Sequence, residues 1–376
     1  MRVLFACGGT AGHINPALAV AARLKSENST VKICFVGNPE KMESRLVPKA
    51  GFDFMPLKIE GFQRRITPEN IRRNLRAISY LLRSIKEARR IIAQFNPDVV
   101  VGTGGYVSGP VLRQAAKMKI PTLAHESNAY PGVTTKILAR YVDKILLATP
   151  AAKGHLPKKA HCVITGNPVR AEILSANRIA ARERLGVSDK VCILSLGGSL
   201  GAHRINEAVA QLIAQSYHKN KMINLHHIHA TGKYGVESFP EMLKSADVPL
   251  EYAHLDIREY IDDMPDCLAA ADLIICRSGA MTLTEIEAVG KASILIPSPN
   301  VSENHQYHNA MVLANRGAAI VIEERELTGE GLFETVNSLV SDPQELLNMG
   351  RNAGRMAILD ADIRICNEVS KVRNQN

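Results

Sequence analysis

The sequence predicts an α/β protein built from two Rossmann-like parallel-sheet domains. Short apolar, β-branched runs alternate with helical patterns along most of the 376 residues, as in a parallel sheet covered by helices on both faces. Twelve such runs suit two sheets better than one. A strand, a Gly-Gly pair and a helix start also follow one another twice, at residues 8–21 and 197–210. This partial repeat indicates two similar domains in tandem.

The strand predictions rest on apolar runs bounded by turn residues. In the first half they are Val3–Ala6, Val31–Val36, Phe52–Leu57, Asp98–Val101, Thr122–Ala124 and Lys144–Leu147. In the second half they are Val191–Leu196, Leu225–His229, Leu250–His254, Leu273–Cys276, Ser293–Ile296 and Ala318–Ile322. Helical spacing of apolar residues predicts helices that include Pro16–Lys25, Asn70–Phe95 and Ile205–Gln215.

Turn residues at Gly166-Asn167-Pro168 mark the predicted hinge between the two domains. We predict an N-terminal domain over residues 1–165, a C-terminal domain over 166–350 and a terminal helical segment over 351–376. The sequence leaves open whether that last segment packs back on the N-terminal domain.

The composition is that of a soluble globular chain, with 46% hydrophobic and 22% charged residues. No run approaches the ~18 apolar residues that a membrane helix needs, and the five apolar residues before Gly8 are too few for a signal-peptide core. The seven cysteines form no C-x-x-C pair and lie mostly in strand-like runs. We therefore predict the buried, reduced thiols of a cytosolic protein.

Positive charge is concentrated in one segment. Ten basic and three acidic residues between Lys58 and Arg90 give this segment a charge of +7, out of +9 for the chain. Apolar residues recur there at helical spacing, from Ile71 to Ile85. Two interpretations stay open: a surface helix with a solvated cationic face, or a helix that docks on an anionic membrane surface with the help of apolar residues such as Phe62. Nucleic acid is not predicted as a partner, since aromatic residues are 5% and no RNA- or DNA-binding signature occurs.

Three glycine-rich loops follow predicted strands, at residues 8–13, 102–106 and 197–201. Glycine lets backbone N–H groups approach a phosphate, and the following helix start adds partial positive charge. A single loop of this kind is also what any tight strand-to-helix turn requires, but three at the carboxyl ends of parallel strands favour anionic ligands in a cleft. The loops lack both the dinucleotide fingerprint and the P-loop lysine, so neither NAD nor hydrolysed ATP is predicted.

Two side chains beside these loops suggest specific roles. Glu285 lies in the second turn of the helix that residues 278–280 open, where a carboxylate can accept hydrogen bonds from a ribose diol or simply complement the helix dipole. His13 lies at a helix start, where a neutral imidazole can act as general base or phosphate donor. The histidines within residues 226–229 alternate between the two faces of a strand, which argues against a metal cluster.

Several blocks of the sequence together resemble the N-acetylglucosaminyltransferases of glycosyltransferase family 28. In family order over nearly the whole chain, the blocks are GGTAGHINPALAVA (8–21), VVGTGGYVSGPV (100–111), HESNAYPGVTTKILAR (125–140), TGNPVR (165–170), LGGSLGAHRIN (196–206), EYIDDM (259–264), CRSGAMTLTEIEAVG (276–290) and NHQYHNA (304–310). The resemblance implies a GT-B fold, in which two Rossmann-like domains face a cleft. It also implies inverting transfer of N-acetylglucosamine from UDP-GlcNAc to the 4-hydroxyl of undecaprenyl-pyrophosphoryl-MurNAc-pentapeptide, a precursor of peptidoglycan.

The resemblance further implies which residues contact the donor. They are Thr10, Ala11, Gly12, Asn128, Arg170, Ser199, Ile261, Ala280, Met281, Thr282, Leu283, Thr284, Glu285 and Gln306. Within this set Ser199 meets the phosphates, Ile261 the uracil and Glu285 the ribose, while Gln306 reads the sugar hydroxyls. Ala11 departs from the glycine that is commonest in the family, so the backbone there must adopt angles that alanine tolerates.

For the acceptor, the resemblance implies a site on the N-terminal domain, with the pyrophosphate near His13 and the loop Gly104-Gly105-Tyr106. His13 is the candidate base, and Glu126 is its rival. Loop amides, helix N-termini and Arg170 offset charge on the departing diphosphate, so no metal and no other cofactor is expected. A lipid acceptor predicts a peripheral enzyme on the cytoplasmic face of the cell membrane. A diacylglycerol glycosyltransferase and a UDP-GlcNAc 2-epimerase remain alternatives with the same fold.

Overall fold

The computed structural model describes residues 1–61, 67–187 and 189–374. The chain divides into two compact units: unit 1 comprises Met1–Pro168 and Ile358–Asn376, and unit 2 comprises Val169–Ala357. Each unit has one sheet whose strands are all parallel, which confirms the predicted α/β class with two sheets. Within the described ranges, no helix is both long enough and apolar enough to cross a bilayer.

The strands lie where apolar runs end in turn residues. In unit 1 they are β1 (Arg2–Ala6), β2 (Lys32–Gly37), β3 (Asp53–Pro56), β4 (Val99–Gly102), β5 (Thr122–Glu126), β6 (Lys144–Leu147) and β7 (Cys162–Ile164); in unit 2 they are β8 (Val191–Leu196), β9 (Leu225–Ala230), β10 (Leu255–Arg258), β11 (Leu273–Cys276), β12 (Ala292–Leu295) and β13 (Ala319–Val321). The orders β3-β2-β1-β4-β5-β6-β7 and β10-β9-β8-β11-β12-β13 reverse direction next to β1 and β8. Ligands of doubly wound sheets bind outside the carboxyl ends of the strands at such reversals.

The helices connect successive strands. They are α1 (Ala11–Glu27), α2 (Glu43–Lys49), α3 (Pro68–Phe95), α4 (Ser108–Lys117), α5 (Val133–Leu138), α6 (Ala171–Leu174), α7 (Arg178–Arg184), α8 (His203–His218), α9 (Ser238–Ser245), α10 (Met264–Ala270), α11 (Ala280–Val289), α12 (His305–Ala314), α13 (Gly329–Val340), α14 (Pro343–Gly354) and α15 (Ala361–Asn374). Helix α1 begins earlier than predicted, because the glycine loop runs directly into its first turn.

The core of unit 1 lies on both faces of its sheet. Val3 and Phe5 of β1 pack with residues of α1 and α15 on one face, while Leu4 and Ala6 pack with residues of α3 and α4 on the other. A buried ion pair between Lys144 and Glu368, 2.7 Å apart, ties α15 to the sheet. The terminal helix is thus part of unit 1.

The predicted strands differ from the observed strands at two places. The three-residue edge strand β7 was not predicted. The strand predicted over 250–254 is wrong, because β10 begins only at Leu255. Those residues form turns instead, and Tyr252 sets its ring edge-on to Tyr217 at 5.3 Å, so its apolar surface packs on α8 and not within the sheet.

The prediction of buried thiols is confirmed for six of the seven cysteines, which are free and buried. Cys162 is also free but only partly buried, because it lies on the edge strand β7.

Candidate functional site

The predicted site residues of unit 1 lie at the carboxyl ends of three neighbouring strands, β1, β4 and β5. After β1, the chain turns through Gly9 at φ +88°, a left-handed conformation that favours glycine. Thr10 is then extended, and Ala11 is the first residue of α1. Ala11 therefore has no left-handed backbone, and its side chain is compatible with the loop.

His13 lies in the first turn of α1. Its Nδ1 is 3.1 Å from the carbonyl oxygen of Gly8 and 3.3 Å from Oγ1 of Thr10. An imidazole that donates from Nδ1 to a carbonyl carries its lone pair on Nε2 when neutral. The local backbone therefore selects the tautomer in which Nε2 can accept a proton.

The loop after β4 packs against this first loop. Gly104 has φ +117°, and a Cβ on it would lie 2.4 Å from Cδ2 of the His13 ring. Gly105 has φ +80°, and a Cβ there would lie 2.3 Å from the Gly8 carbonyl oxygen. Both positions therefore need glycine. Tyr106 follows at the tip with half of its surface exposed, packed against Gly61.

Glu126, at the end of β5, is buried and surrounded by donors. Its carboxylate accepts hydrogen bonds from the backbone and side-chain nitrogens of Asn128, each at 3.0 Å, from Gly132 N at 3.0 Å and from Thr135 Oγ1 at 2.6 Å. Both carboxylate oxygens of Glu126 are therefore occupied by donors from its own segment. Glu126 thus holds residues 126–135 together, and Asn128 is fixed by it.

Sequence reasoning missed Glu43 as a site residue. It begins α2 after β2, and its fully buried carboxylate accepts hydrogen bonds from the backbone nitrogens of Gly9 at 3.1 Å and Asn38 at 2.9 Å. The signal that finds it is the sheet order, since β2 is the neighbour of β1 and its following loop must lie beside the first glycine loop.

In unit 2, predicted donor residues converge on a cavity of about 240 Å³. Its walls include Arg170, Ile261, Thr282 and Glu285, together with Tyr260, which sequence reasoning did not single out. Arg170 Nε donates to Glu285 Oε1 at 3.0 Å. Burial raises the pKa of Glu285, and the nearby Arg170 opposes that rise. The carboxylate and the guanidinium are therefore already paired at the cavity wall.

The start of α11 contributes backbone donors beside this cavity. Gly279 is extended and precedes the helix, so the N–H groups of residues 280–282 have no partner within the helix, whereas Leu283 N donates to the Gly279 carbonyl at 3.0 Å. Asn309 Nδ2 supports this turn by donating to the carbonyl of the fully buried Ser278 at 3.2 Å. Met281 and Thr284 lie on the same two turns, and Thr284 Oγ1 donates to the Ala280 carbonyl at 2.9 Å.

Ser199 lies on the exposed glycine loop between β8 and α8. The loop after β9 supports it: Lys233 N donates to the Ser199 carbonyl at 3.3 Å, and a Cβ on Gly232 would lie only 2.0 Å from Gly201 N. Since β8 is hydrogen-bonded to β11, the loop of Ser199 and the start of α11 project from adjacent strands.

Gln306 lies in the first turn of α12, which follows β12 at the same edge of the sheet. Its Oε1 accepts from Ser298 N at 2.9 Å. This bond directs the amide so that its NH2 group is the end that can donate to a ligand.

Three histidine side chains of β9 are buried in unit 2. His227 Nε2 and His229 Nδ1 each lie 2.7 Å from Ser195 Oγ, on one side of the sheet, as the alternation predicts. Burial lowers the pKa of His227 to about 3. This cluster is an interior network of neutral groups.

From Pro68 onward the basic segment forms α3, which exposes an apolar stripe. Ile71, Leu75, Ile78 and Leu82 are between 45% and 65% exposed. Nearby cations fall into two groups: Arg73 and Arg76 pair with Glu69 and Glu60, whereas Arg72, Arg83, Lys86 and Arg89 form no ion pair within the described residues. Phe62, Arg64 and Arg65 lie outside the described residues.

Comparison with known proteins identifies relatives over the whole length. Models of the glycosyltransferase family 28 N-terminal and C-terminal domains match residues 3–147 and 192–365. A protein of Acetivibrio thermocellus named UDP-N-acetylglucosamine--N-acetylmuramyl-(pentapeptide) pyrophosphoryl-undecaprenol N-acetylglucosamine transferase is 42% identical over 97% of this chain and 96% of its own. A protein of the same name from Desulforamulus reducens is 42% identical over 100% of both chains. The crystal structure of Acinetobacter baumannii MurG matches with a TM-score of 0.79 and 31% identity, over 98% of this chain and 99% of that one.

Proposed function

The chain belongs to glycosyltransferase family 28, and from that premise we infer that it is a hexosyltransferase: it moves N-acetylglucosamine from UDP-N-acetylglucosamine to undecaprenyl-pyrophosphoryl-N-acetylmuramoyl-pentapeptide. The observation that carries this conclusion is the 42% identity, over nearly the full length, to proteins named for that transfer. The enzyme therefore acts in peptidoglycan synthesis.

We propose that unit 2 binds the donor at the cavity beside Arg170. Ile261 meets the uracil, and Glu285 accepts hydrogen bonds from the ribose hydroxyls. The first turn of α11 and the loop of Ser199 direct N–H groups at the diphosphate, and Gln306 donates to the sugar. What supports this proposal is that a buried carboxylate, a guanidinium and an open helix start meet at one edge of one sheet.

Unit 1 supplies the base in this proposal. His13 Nε2 takes the proton of the acceptor 4-hydroxyl while that oxygen forms a bond to C1 of the sugar. The bond between C1 and the diphosphate oxygen breaks, and its electron pair leaves with UDP. Because the new bond forms opposite the old one, the configuration at C1 is inverted. Loop amides and Arg170 offset the charge that develops on the diphosphate.

His13 is favoured over Glu126 by their surroundings. The Gly8 carbonyl holds Nδ1 of His13 and thereby reserves Nε2 as the proton acceptor. The carboxylate of Glu126 already accepts bonds from Asn128, Gly132 and Thr135.

The activity is tested by incubating the protein with radiolabelled UDP-GlcNAc and lipid-linked muramoyl pentapeptide, and in parallel with diacylglycerol. Label should enter only the muramoyl lipid; transfer to diacylglycerol instead would refute the assignment. His13→Gln should lower kcat by at least about a hundredfold and leave UDP binding near normal. A variant that keeps most of its kcat would exclude His13 as the base.

We also propose that unit 1 docks on the cytoplasmic face of the membrane through α3. The stripe from Ile71 to Leu82 is exposed although it is apolar, and the same helix carries Arg72, Arg83, Lys86 and Arg89, which form no ion pair with any residue that the structure describes. Apolar side chains at the headgroup boundary and cations facing anionic lipids act together to hold a peripheral helix at a bilayer. The lipid acceptor would then be presented at the surface on which the enzyme is bound.

Charge reversal and apolar removal on α3 test this docking. Each basic residue near an anionic bilayer contributes about 1 kcal/mol, so Arg72→Glu with Arg83→Glu should weaken binding to phosphatidylglycerol vesicles by about thirtyfold or more. Leu75→Ser should also weaken it. Matched controls in unit 2 are the exposed Arg351→Glu and Leu347→Ser. Turnover of a short-chain soluble acceptor should be unchanged; equal loss with soluble and vesicle-embedded acceptors would refute docking.

A further inference from the structure

Glu43 is a buried carboxylate held by backbone donors. Its side chain is fully buried, and its oxygens accept hydrogen bonds from two backbone nitrogens, those of Gly9 and Asn38. Within the described residues it forms no ion pair, whereas Glu40 nearby is exposed and pairs with Lys58 at 2.5 Å. Burying a carboxylate without a cation is costly unless fixed donors compensate. The two amide donors are therefore what keep Glu43 in place, and it in turn holds them.

The surrounding backbone leaves no room for this carboxylate to move. A Cβ on Gly8 would lie 2.3 Å from Glu43 Oε1, and a Cβ on Gly37 would lie 2.5 Å from Glu43 Cγ. The carboxylate thus packs directly against the backbone of the first glycine loop on one side and the end of β2 on the other. Glycine at both positions is what permits this contact.

The same loop carries the hydrogen bond that orients His13. The Gly8 carbonyl is 3.1 Å from His13 Nδ1, and the next residue, Gly9, is the one whose N–H bonds to Glu43. The Gly8 carbonyl and the Gly9 N–H belong to the same peptide unit. Because that unit is planar, fixing the N–H of Gly9 also fixes the direction of the Gly8 carbonyl.

We propose that Glu43 is a positioning residue for the transfer reaction. Through the peptide that joins Gly8 to Gly9, it directs a carbonyl at His13 Nδ1 and so keeps the lone pair on Nε2. The proposal deepens the function given above and rests on His13 as the base. Glu43 also makes the Gly9 N–H unavailable to a phosphate, since its carboxylate already accepts that hydrogen bond.

The test compares Glu43→Gln with Glu40→Gln as the matched control. Glutamine preserves the shape but places an NH2 group against one of the two backbone N–H groups, so the loop must shift. A shift of about 1 Å can cost about a hundredfold in rate. We expect kcat to fall at least about tenfold in Glu43→Gln, with a smaller change in the KM for UDP-GlcNAc, because most of the proposed donor contacts lie on unit 2. Glu40→Gln should match the wild type.

A second readout follows the His13 ring directly. In 15N spectra of histidine-labelled protein, the His13 signals are identified by their absence in His13→Gln. The wild type should show a protonated Nδ1 and a lone pair on Nε2 at pH 8, and Glu43→Gln should shift both ring signals towards a mixture of tautomers. Ring signals equal to the wild type would overturn the proposal whatever the rate.

Two further outcomes separate the possible failures. Shifted ring signals with an unchanged kcat would uphold the positioning of His13 but refute His13 as the base, and with it the mechanism proposed above. Glu43→Asp, which keeps the charge but withdraws the carboxylate, provides a second variant with the same expected shift. Loss of the folded state in both variants would assign Glu43 to stability alone and overturn the proposal.

Discussion

Donor affinity should depend on pH through Glu285. Its carboxylate pairs with Arg170 at 3.0 Å and is mostly buried, and burial raises its pKa above the ordinary value of 4.5. Only the charged form accepts hydrogen bonds from both ribose hydroxyls. Affinity for uridine should therefore be independent of pH near pH 8 and should fall as the pH drops through the pKa of Glu285.

The size of the expected loss in uridine affinity follows from the hydrogen bonds that the substitution removes. A hydrogen bond to a charged group is worth about 1.5–3 kcal/mol, so Glu285→Ala should weaken uridine binding by about 10- to 150-fold. Arg170→Ala removes the cation that opposes protonation. Because Arg170 is nearly half exposed, its pairing is worth about 1 kcal/mol or less. The midpoint of the acid loss should thus move upward by less than about one pH unit.

Calorimetric titration with uridine and with UDP between pH 5 and pH 8 measures both effects. Uridine isolates the ribose and base, whereas UDP adds the phosphate contacts proposed for Arg170. Glu287→Gln is the matched control, since Glu287 lies two residues further on the same helix but does not line the cavity. Uridine binding that is independent of pH and equal in Glu285→Ala would refute the ribose contact.

Two predictions concern stability. Burial raises the pKa of Glu287 from 4.5 to about 7, so between these values the folded protein retains a proton that the unfolded chain releases. The free energy of unfolding therefore falls as the pH rises from 4.5 to 7. Glu287→Gln should raise the free energy of unfolding at pH 8 by about 1–3 kcal/mol in urea titrations. Burial lowers the pKa of His227 from 6.5 to about 3, so only the unfolded chain binds a proton between these values and stability falls on acidification. His227→Leu should flatten this dependence between pH 7 and pH 5 in the same titrations.

The central strands of both sheets could be predicted because burial on two faces makes them nearly continuous apolar runs. Edge strands carry a weaker signal. β7 has three residues and lies beside β6 at the edge of its sheet, and β10 reads Leu-Asp-Ile-Arg, with two charged residues in four. The apolar run just before β10 was more strand-like than the strand itself, and its tyrosine packs on a helix instead.

At the site, the glycine loops could be predicted from the sequence because a left-handed backbone restricts the choice of residue, as at Gly104 and Gly105. The contacts between loops could not be predicted from the sequence. Glu43 meets Gly9 across 34 residues of chain, and that meeting follows from the order of β2 and β1 in the sheet. The pairing of Arg170 with Glu285 spans 115 residues and likewise depends on topology. Spacing in the sequence therefore indicates the kind of site, whereas the sheet order determines its partners.

Helix α3 shows where periodicity alone misleads. An apolar stripe at helical spacing ordinarily predicts the buried face. Here Ala77 and Ser84 are fully enclosed and Leu81 packs against the core, while Leu75 and Leu82 are exposed. The core of unit 1 is thus closed without Leu75 and Leu82. The exposed stripe is therefore not needed for folding. An unneeded apolar stripe on a cationic helix is the physical reason to expect a lipid surface against α3.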